Sequence, residues 1–354
     1  MEISVVHSDV TKIETDVLVV NLFKGVSSPG GATGAVDKAL FGLITDLISE
    51  GEVTGTLNEL TLVHTPSSAY ADFAPDRVLI AGLGSDDSFD TDAIRKVSAS
   101  VIRKLRAAGI KHASTIVHGA GIGGLDPRAA SQAVVEGALL GAYRFLKYRT
   151  TDKNRKPDLS KFTLVEADDR KITKIEEGIV RGQIYAGAEI LSRDLVNEPA
   201  NKLAPADLAA VSLNLAAENN ISCLVLEEQD VAKLGMGAYL GVSQGGERPL
   251  KFIHMTYQGD AGSLDNNIWL IGKGITFDSG GISLKPGLGM GKMKGDMGGG
   301  ASVIAAIQAI SQLKPKINVH VVCAATDNMP GGSAQRPGDV VTAMNGMTIE
   351  IDNT

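Results

Sequence analysis

The stretch from Ile268 to Asp296, IWLIGKGITFDSGGISLKPGLGMGKMKGD, constrains this chain more than any other part of it. It opens with an apolar run, Ile268–Ile271, that is short enough to be a buried strand. The rest contains eight glycines, which let a backbone turn sharply and approach a ligand closely. Two carboxylates and two amines lie among these glycines. They belong to Lys273, Asp278, Lys285 and Asp296, which we expect to lie in loops. A stable loop needs no such set, so the stretch predicts a site.

The segments that follow predict a βαβ unit. Ala301–Ile310 has the composition and apolar spacing of a helix, and Ile317–Ala325 is a second, nearly all-apolar strand. Two strands joined in this way are expected to be parallel, with a right-handed crossover. Open parallel sheets bind ligands at the carboxyl ends of their strands. Lys273 and Asp278 should therefore lie at the same edge as Asn328.

Composition excludes several classes of protein. The chain has 354 residues, room for two domains, and its 44% hydrophobic and 21% charged residues are ordinary for a globular protein. A net charge of −7 argues against nucleic acid as a partner. No signal peptide and no run of about 18 apolar residues is present, so we expect no membrane partner and a cytoplasmic location. Cys223 and Cys323 lie in apolar runs, which indicates buried free thiols in a reducing compartment.

Residues 1 to 168 predict a first α/β domain, because strand-like and helix-like segments alternate along them. The predicted strands are 16–21, 77–81, 115–118 and 162–165, and the predicted helices are 35–50, 91–108 and 127–147. A polar stretch, 150–157, is expected to be a surface loop. A further helix, 169–195, should link this domain to a second one.

The segment DVLVVN, followed by a glycine-rich loop, resembles the macrodomains, which bind ADP-ribose. A second glycine loop, Gly119–Gly124, could cradle a phosphate at the end of its strand. Glycine after a strand is more often ordinary turn chemistry, and this alternative stays open beside the phosphate interpretation.

The four charged residues of the central stretch suit a metal site. Divalent cations accept carboxylate oxygens such as those of Asp278 and Asp296. Lys273 can coordinate only if the metal displaces its proton, and a charged Lys285 could stabilise an oxyanion. The alternatives are a helix cap at Asp296, an Asx turn at Asp278 and solvated lysines.

Several long motifs are similar to those of the cytosolic leucyl aminopeptidases, the M17 peptidase family. They are GKGITFDSGGISLK, MKGDMGGGAS, DNMPGGSAQRPGD and IEIDNT, with RDLVNEPAN and LGMGAYLGVSQG as further blocks. The likeness is strong from Asp194 to Thr354 and weaker before it. It implies a macrodomain-like N-terminal α/β domain at 1–168, a linker helix at 169–195, and a C-terminal catalytic α/β domain with a largely parallel central sheet at 196–354.

The resemblance also implies roles for single residues. The matching positions are metal ligands at Lys273, Asp278 and Asp296, a catalytic lysine at Lys285, and substrate-binding residues at these four positions, Met293 and Asn353. The family is expected to bind two divalent metal ions per subunit, zinc or manganese with magnesium as a further option, and a bicarbonate as general base. Its activity is removal of the N-terminal residue, often leucine, from peptide substrates, and its assembly is a homo-hexamer.

Two departures from the family pattern bear on the prediction. The chain ends at Thr354, where the family continues with the tract DAEGR and two more acidic ligands. We therefore expect the catalytic domain to be incomplete and the 354-residue chain alone to be inactive. Asp327 stands where glutamate is more common, which changes only the side-chain length. The alternative function is a non-catalytic ligand- or DNA-binding protein that uses the macrodomain-like domain.

Overall fold

The computed structural model describes residues 1–151, 156–263 and 265–354. Contacts divide the chain into two units, Met1–Ala186 and Gly187–Thr354, and the division falls inside one long helix, α5, which spans Ile172–Asn197. The domain boundaries predicted at 168 and 195 remain predictions. The loop predicted at 150–157 lies partly outside the described residues, at 152–155. Within the described ranges, no helix has the length and apolarity that a membrane crossing requires.

A six-stranded sheet forms the centre of the first unit, in the order β1-β6-β5-β2-β4-β3. Every neighbouring pair in it is parallel except β3–β4. The strands are β1 Glu2–His7, β2 Val17–Leu22, β3 Leu60–His64, β4 Arg77–Gly82, β5 His112–Ile116 and β6 Lys161–Glu166. The four predicted strands correspond to β2, β4, β5 and β6, whereas β1 and β3 were not predicted.

Both faces of this sheet are covered, which explains why β2 is apolar without alternation. Val17 and Val19 belong to one core cluster, and Leu18 and Val20 belong to the cluster on the other face. All four side chains are fully buried. The α/β class predicted for this region is confirmed.

The helices of this unit are α1 Gly31–Ala39, α2 Leu43–Ser49, α3 Thr91–Ala108, α4 Pro127–Ala142 and the start of α5 Ile172–Asn197. The single helix predicted over 35–50 is wrong, because Phe41 and Gly42 have φ angles of 56° and 92° and separate α1 from α2. By contrast, α3 has the predicted bounds. The Asp90 side chain accepts a hydrogen bond from the Ala93 amide at its start, and Gly109 ends it in the left-handed conformation.

The second unit has a four-stranded sheet in the order β7-β8-β10-β9. Its strands are β7 Ser222–Leu226, β8 Lys251–Gln258, β9 Asn267–Asp278 and β10 Asn318–Asn328, with a separate hairpin of β11 Val340–Thr342 and β12 Thr348–Glu350. Its helices, besides the end of α5, are α6 Pro205–Asn219, α7 Glu228–Lys233, α8 Gly237–Ser243 and α9 Gly298–Leu313.

Three of the four strands run in one direction, in agreement with the largely parallel sheet that was predicted. Only β9 and β10 are parallel neighbours, as the βαβ pattern requires. β8 runs the other way and pairs antiparallel with both β7 and β10.

The prediction that Lys273 and Asp278 lie in loops is wrong. β9 continues through Lys273 and ends at Asp278, because its pairing with β10 extends from Asn318 to Asn328. A register shift between Thr326 and Asp327 lets the last residue of β9 pair with the last residue of β10. The backbone pairing of β10 therefore extends the strand beyond its apolar run.

Glycines bring the start of α9 unusually close to β9. A Cβ atom on Gly272 would lie 2.5 Å from the carbonyl oxygen of Gly299, and one on Gly300 would lie 2.5 Å from Sγ of Cys323. Only glycine permits this approach. The first turn of α9 thus rests on the strand that carries Lys273.

Candidate metal centre

Two lysine–carboxylate pairs form the centre of the site. Nζ of Lys285 lies 2.8 Å from Oδ2 of Asp278. Nζ of Lys273 lies 2.9 Å from Oδ2 of Asp296. All four residues come from the central stretch of the sequence, and each carboxylate meets a cation.

Asp278 is the most firmly held of the four. Asp278 is only 8% exposed. Its Oδ1 accepts hydrogen bonds from the Gly280 amide at 2.9 Å and from Nδ2 of Asn328 at 2.8 Å. The bond from Gly280 forms the Asx turn that the sequence offered as an alternative role for Asp278. Burial acts to raise the pKa of Asp278, but the hydrogen bonds from Lys285, Gly280 and Asn328 together lower it below its ordinary value. Oδ1 is therefore fixed by the protein, while Oδ2 faces Lys285.

The charge of Lys285 interacts with the carboxylates of both Asp278 and Asp296. Its backbone amide donates to the Ser279 carbonyl at 2.9 Å, which folds the loop back toward the end of β9. The hydrogen bond to Asp278 raises the pKa of the Lys285 amine, and the charges of Asp278 and Asp296 act in the same direction. The amine is therefore a cation near two acidic groups.

Asp296 follows a 3₁₀ turn, Met290–Gly295, and its amide donates to the Met293 carbonyl at 3.2 Å. The alternative that it caps α9 is wrong, because the N-cap residue is Met297. Oδ2 of Asp296 is buried, and no described group meets it with hydrogen-bonding geometry, although Lys273 is close. A buried carboxylate oxygen of this kind is a position at which a cation would be stabilised.

The other two predicted substrate residues lie in adjoining segments. Met293 is half-buried within the 3₁₀ turn, and Asn353 is exposed at the end of the chain. Thr354, next to Asn353, is tied to the loop after β9. Its Oγ1 donates to the Gly280 carbonyl and accepts from the Ser283 amide, each at 2.8 Å.

The residues present suit one divalent cation. Among the described residues, no group of three or more His, Cys, Asp or Glu side chains is placed to hold a metal ion. Two carboxylates and the Lys273 amine provide three ligands, the number that catalytic zinc sites use together with water. The amine must lose its proton when the ion binds. The buried Oδ2 of Asp296 fits such an ion.

The contact between Asn328 and Asp278 was not predicted from the sequence. The motif position of Asn328, after the strand predicted at 317–325, was noted, but its bond to Asp278 depends on the register of two strands far apart in sequence. The neighbouring Asp327 is also buried. It accepts a hydrogen bond from Thr276 and lies 3.7 Å from Arg248.

Comparison with known proteins matches both parts of the chain. The profile of the cytosol aminopeptidase family, catalytic domain, matches residues 190–354, and that of the N-terminal domain matches residues 19–152. A probable cytosol aminopeptidase of Alkaliphilus oremlandii (strain OhILAs) is 38% identical over the whole chain, which spans 70% of that protein. One from Solibacter usitatus (strain Ellin6076) is 41% identical, and the chain spans 68% of it.

Solved structures show the same relationship. A mutant of tomato leucine aminopeptidase has a TM-score of 0.83 at 28% identity, and the match covers the whole of this chain and 68% of that one. The bottromycin maturation enzyme BotP in complex with Mn has a TM-score of 0.78 at 28% identity, covering 96% of this chain and 65% of that one. On the strength of both profiles and of relatives this similar along its full length, the chain belongs to the cytosol aminopeptidase family of peptidases.

Proposed function

We propose that this protein is a metal-dependent aminopeptidase that removes the N-terminal residue from peptides, with a preference for leucine-like side chains. The observation that carries the proposal is the pairing of Lys285 with Asp278 and of Lys273 with Asp296 at the end of β9. Family membership supports the reaction, and the Mn complex of BotP supports divalent metal dependence.

Lys273, Asp278 and Asp296 would hold the metal. Divalent ions supply Lewis acidity toward the scissile carbonyl and activate water near neutral pH. The protein contributes orientation. Asn328 and Gly280 fix one oxygen of Asp278, so the other oxygen is directed to the site without rotation of the carboxylate.

Lys285 would stabilise the charge that develops on the carbonyl oxygen when water attacks. A cation held in advance near that position needs no reorganisation during the reaction. The Ser279–Lys285 backbone bond and the Asp278 contact hold the amine in place. Met293 is half-buried and lies close to Asp296 in the sequence. It would line the pocket for the first side chain of the substrate.

The remaining elements of the proposal come from the family resemblance. They are two metal ions per subunit, of which the ligands described above suit one, with zinc, manganese or magnesium as their identity, bicarbonate as the general base, a hexamer and a cytoplasmic location. Elemental analysis and light scattering of the purified protein test the metal content and the assembly.

The decisive experiment compares two anilides. The protein should be expressed from the uninterrupted reading frame that contains these 354 residues and assayed with leucine 4-nitroanilide and with its N-acetyl form. An aminopeptidase cleaves the first in the presence of Mn²⁺ or Zn²⁺, loses activity with a chelator, and leaves the second intact. Equal cleavage of both substrates would contradict the proposal, and so would full activity after the metal is removed.

A further inference from the structure

A row of aromatic and polar side chains lies across one face of the sheet in the second unit. It consists of His254 and Thr256 on β8, His320 on β10 and Trp269 on β9. His320 pairs with Thr256 on one side and with Trp269 on the other. Residues two apart on a strand share a face, so His254 belongs to the same row. These four residues are called the histidine cluster below.

The strands that carry the cluster are fixed by the core on the opposite face of the sheet. Ile253, Met255 and Val321, which alternate with the cluster residues, are fully buried there. The two histidines and Thr256 are half-buried, and Trp269 is 55% exposed. The cluster is therefore held on a firm backbone and is still reached by solvent.

Three donor atoms of the cluster lie close together. Nε2 of His254 lies 3.2 Å from Nδ1 of His320. Oγ1 of Thr256 lies 3.2 Å from that nitrogen of His320 and 3.5 Å from that nitrogen of His254. In the structure these contacts are hydrogen bonds, whose donors depend on the tautomers of the two rings. The three atoms form a nearly equilateral triangle.

This triangle has the dimensions of three ligands around one metal ion. Zinc binds imidazole nitrogen at about 2.0–2.1 Å in tetrahedral sites, so two of its ligands are about 3.4 Å apart. The three separations in the cluster, 3.2, 3.2 and 3.5 Å, lie around that value. Binding requires each ring to turn, so that both nitrogen lone pairs are directed at one point beside the triangle instead of at each other. Half-buried side chains have room for this rotation.

The protonation state of His254 also suits a ligand. Burial, together with the charge of His320, lowers the pKa of His254 below its ordinary value. This ring is therefore uncharged near neutral pH, and neutral imidazole is the form that binds metals. An ion at the cluster need not displace a proton from His254, whereas one at the candidate metal centre must displace a proton from Lys273.

Trp269 covers both imidazole rings. Its indole is stacked on His320, with ring centroids 4.2 Å apart and an angle of 12° between the planes. It is also nearly parallel to the ring of His254, at 5.5 Å and 13°. The indole restricts the rings on one side, so an ion bound by them would lie beside it. Because Trp269 is the single tryptophan, its fluorescence reports on this place alone.

We propose that the histidine cluster binds a divalent transition metal ion. The ligands are Nε2 of His254, Nδ1 of His320 and Oγ1 of Thr256, with water completing the coordination. Imidazole nitrogen favours Cu²⁺, Ni²⁺ and Zn²⁺, whereas Mg²⁺ and Ca²⁺ prefer oxygen ligands. Cu²⁺ should bind most tightly, and Mn²⁺ more weakly than Zn²⁺. The ion would connect β8 to β10.

This site is separate from the candidate metal centre. Trp269 precedes Lys273 by four residues on β9, which corresponds to about 13 Å along the strand. The cluster shares no residue with the centre, and its ligands are of a different chemical type. A metal at the cluster is therefore independent of the proposed peptidase reaction, and each proposal can fail without the other.

The test is a titration of the 354-residue chain with Cu²⁺ at neutral pH, followed by the fluorescence of Trp269. Cu²⁺ quenches an adjacent indole, so we expect quenching that saturates at one ion. Zn²⁺ does not quench, and it should restore the fluorescence by competing for the site. Mg²⁺ in large excess should have no effect. Quenching that does not saturate, or that Mg²⁺ reverses, would overturn the proposal.

Histidine variants test the ligands. His254→Gln and His320→Gln should each weaken Cu²⁺ binding at least as much as the loss of a supporting contact does, about 10–100-fold, because each removes one nitrogen ligand. Thr256→Val should weaken it by a smaller factor. His64→Gln, at an exposed histidine of the first unit, is the control and should bind Cu²⁺ normally. Normal Cu²⁺ affinity in a folded His254→Gln or His320→Gln protein would overturn the proposal.

Asp278→Ala distinguishes the two metal sites. It removes a ligand of the candidate metal centre, so quenching of Trp269 by Cu²⁺ should be unchanged in this variant. Loss of the quenching would place the ion at the candidate centre and overturn the proposal. Zn²⁺ should also raise the thermal unfolding temperature of Asp278→Ala, because an ion that binds only the folded chain stabilises it. It should do so no longer once His254→Gln and His320→Gln are added, and an equal rise would contradict the site.

Discussion

Asn328 donates a hydrogen bond of 2.8 Å from its side-chain amide to Oδ1 of Asp278, and the two residues are directly paired at the ends of β10 and β9. The register shift after Thr326 creates this pairing. One residue on the second strand therefore orients the carboxylate that ends the first, and the candidate metal centre depends on the contact.

Replacing Asn328 should weaken metal binding more than it weakens the fold. Asn328→Leu removes the donor to Asp278, and loss of such a supporting contact commonly costs about 10–100-fold in metal affinity or activity. A calorimetric titration with Mn²⁺ measures the metal affinity. Asn214→Leu, at an exposed asparagine of α6, is the control and should bind Mn²⁺ normally. An unchanged Mn²⁺ affinity in Asn328→Leu would show that Asp278 is oriented without it.

Lys285 and Asp278 should fail in different ways. Lys285→Ala is expected to reduce kcat by about 10²–10³ while metal content hardly changes, because the amine stabilises the oxyanion only. Asp278→Ala should lose metal and activity together. Lys292→Ala, an exposed lysine of the adjoining 3₁₀ turn, serves as the control. Equal metal loss in Lys285→Ala and Asp278→Ala would mean that Lys285 is a ligand or a structural residue.

The close approach of α9 to β9 should not tolerate a methyl group. Gly272→Ala places a Cβ atom 2.5 Å from the Gly299 carbonyl oxygen, so we expect the second unit to lose about 1–3 kcal/mol of unfolding free energy. Gly287→Ala is the control, since its Cβ would meet no atom within 4 Å. Urea unfolding followed by Trp269, the single tryptophan, reports on this unit. Equal stability of the two variants would contradict the packing described.

The first unit should lose stability as the pH falls from 7 to 5. Burial lowers the pKa of His118 from 6.5 to about 4, so the unfolded chain binds a proton in this window that the folded unit does not. Acidification therefore lowers the unfolding free energy of the first unit, by roughly 2 kcal/mol at pH 5 relative to pH 7. The destabilisation is absent above about pH 7 and complete below about pH 4.

Hydrogen exchange of the β5 amides measures this effect at the two pH values after correction for intrinsic exchange rates. His118→Gln has no imidazole to protonate, so its protection should change less between pH 7 and pH 5 than that of the natural protein. Identical pH dependence in both proteins would place the acid sensitivity elsewhere.

Local sequence determined those helices and buried strands whose own residues have a clear apolar pattern. The predicted bounds of α3 are those observed, and Asp90 and Gly109 cap its two ends. The apolar residues Val17–Val20 predicted a buried strand, and the two core clusters show that it is covered on both faces. The broken helix at Phe41–Gly42 was missed because the apolar pattern continues across it.

The sequence also named the four charged residues of the candidate centre and, through long motifs, the family to which the chain belongs. It could not determine which lysine meets which carboxylate. Lys273 meets Asp296 only because glycines let α9 rest on β9, and Asp278 is fixed only because a register shift places Asn328 beside it. These contacts join segments that are distant along the chain, and their geometry depends on backbone pairing and close packing. Residue identity determined the chemistry that is available, whereas tertiary structure decided which groups are near enough to use it.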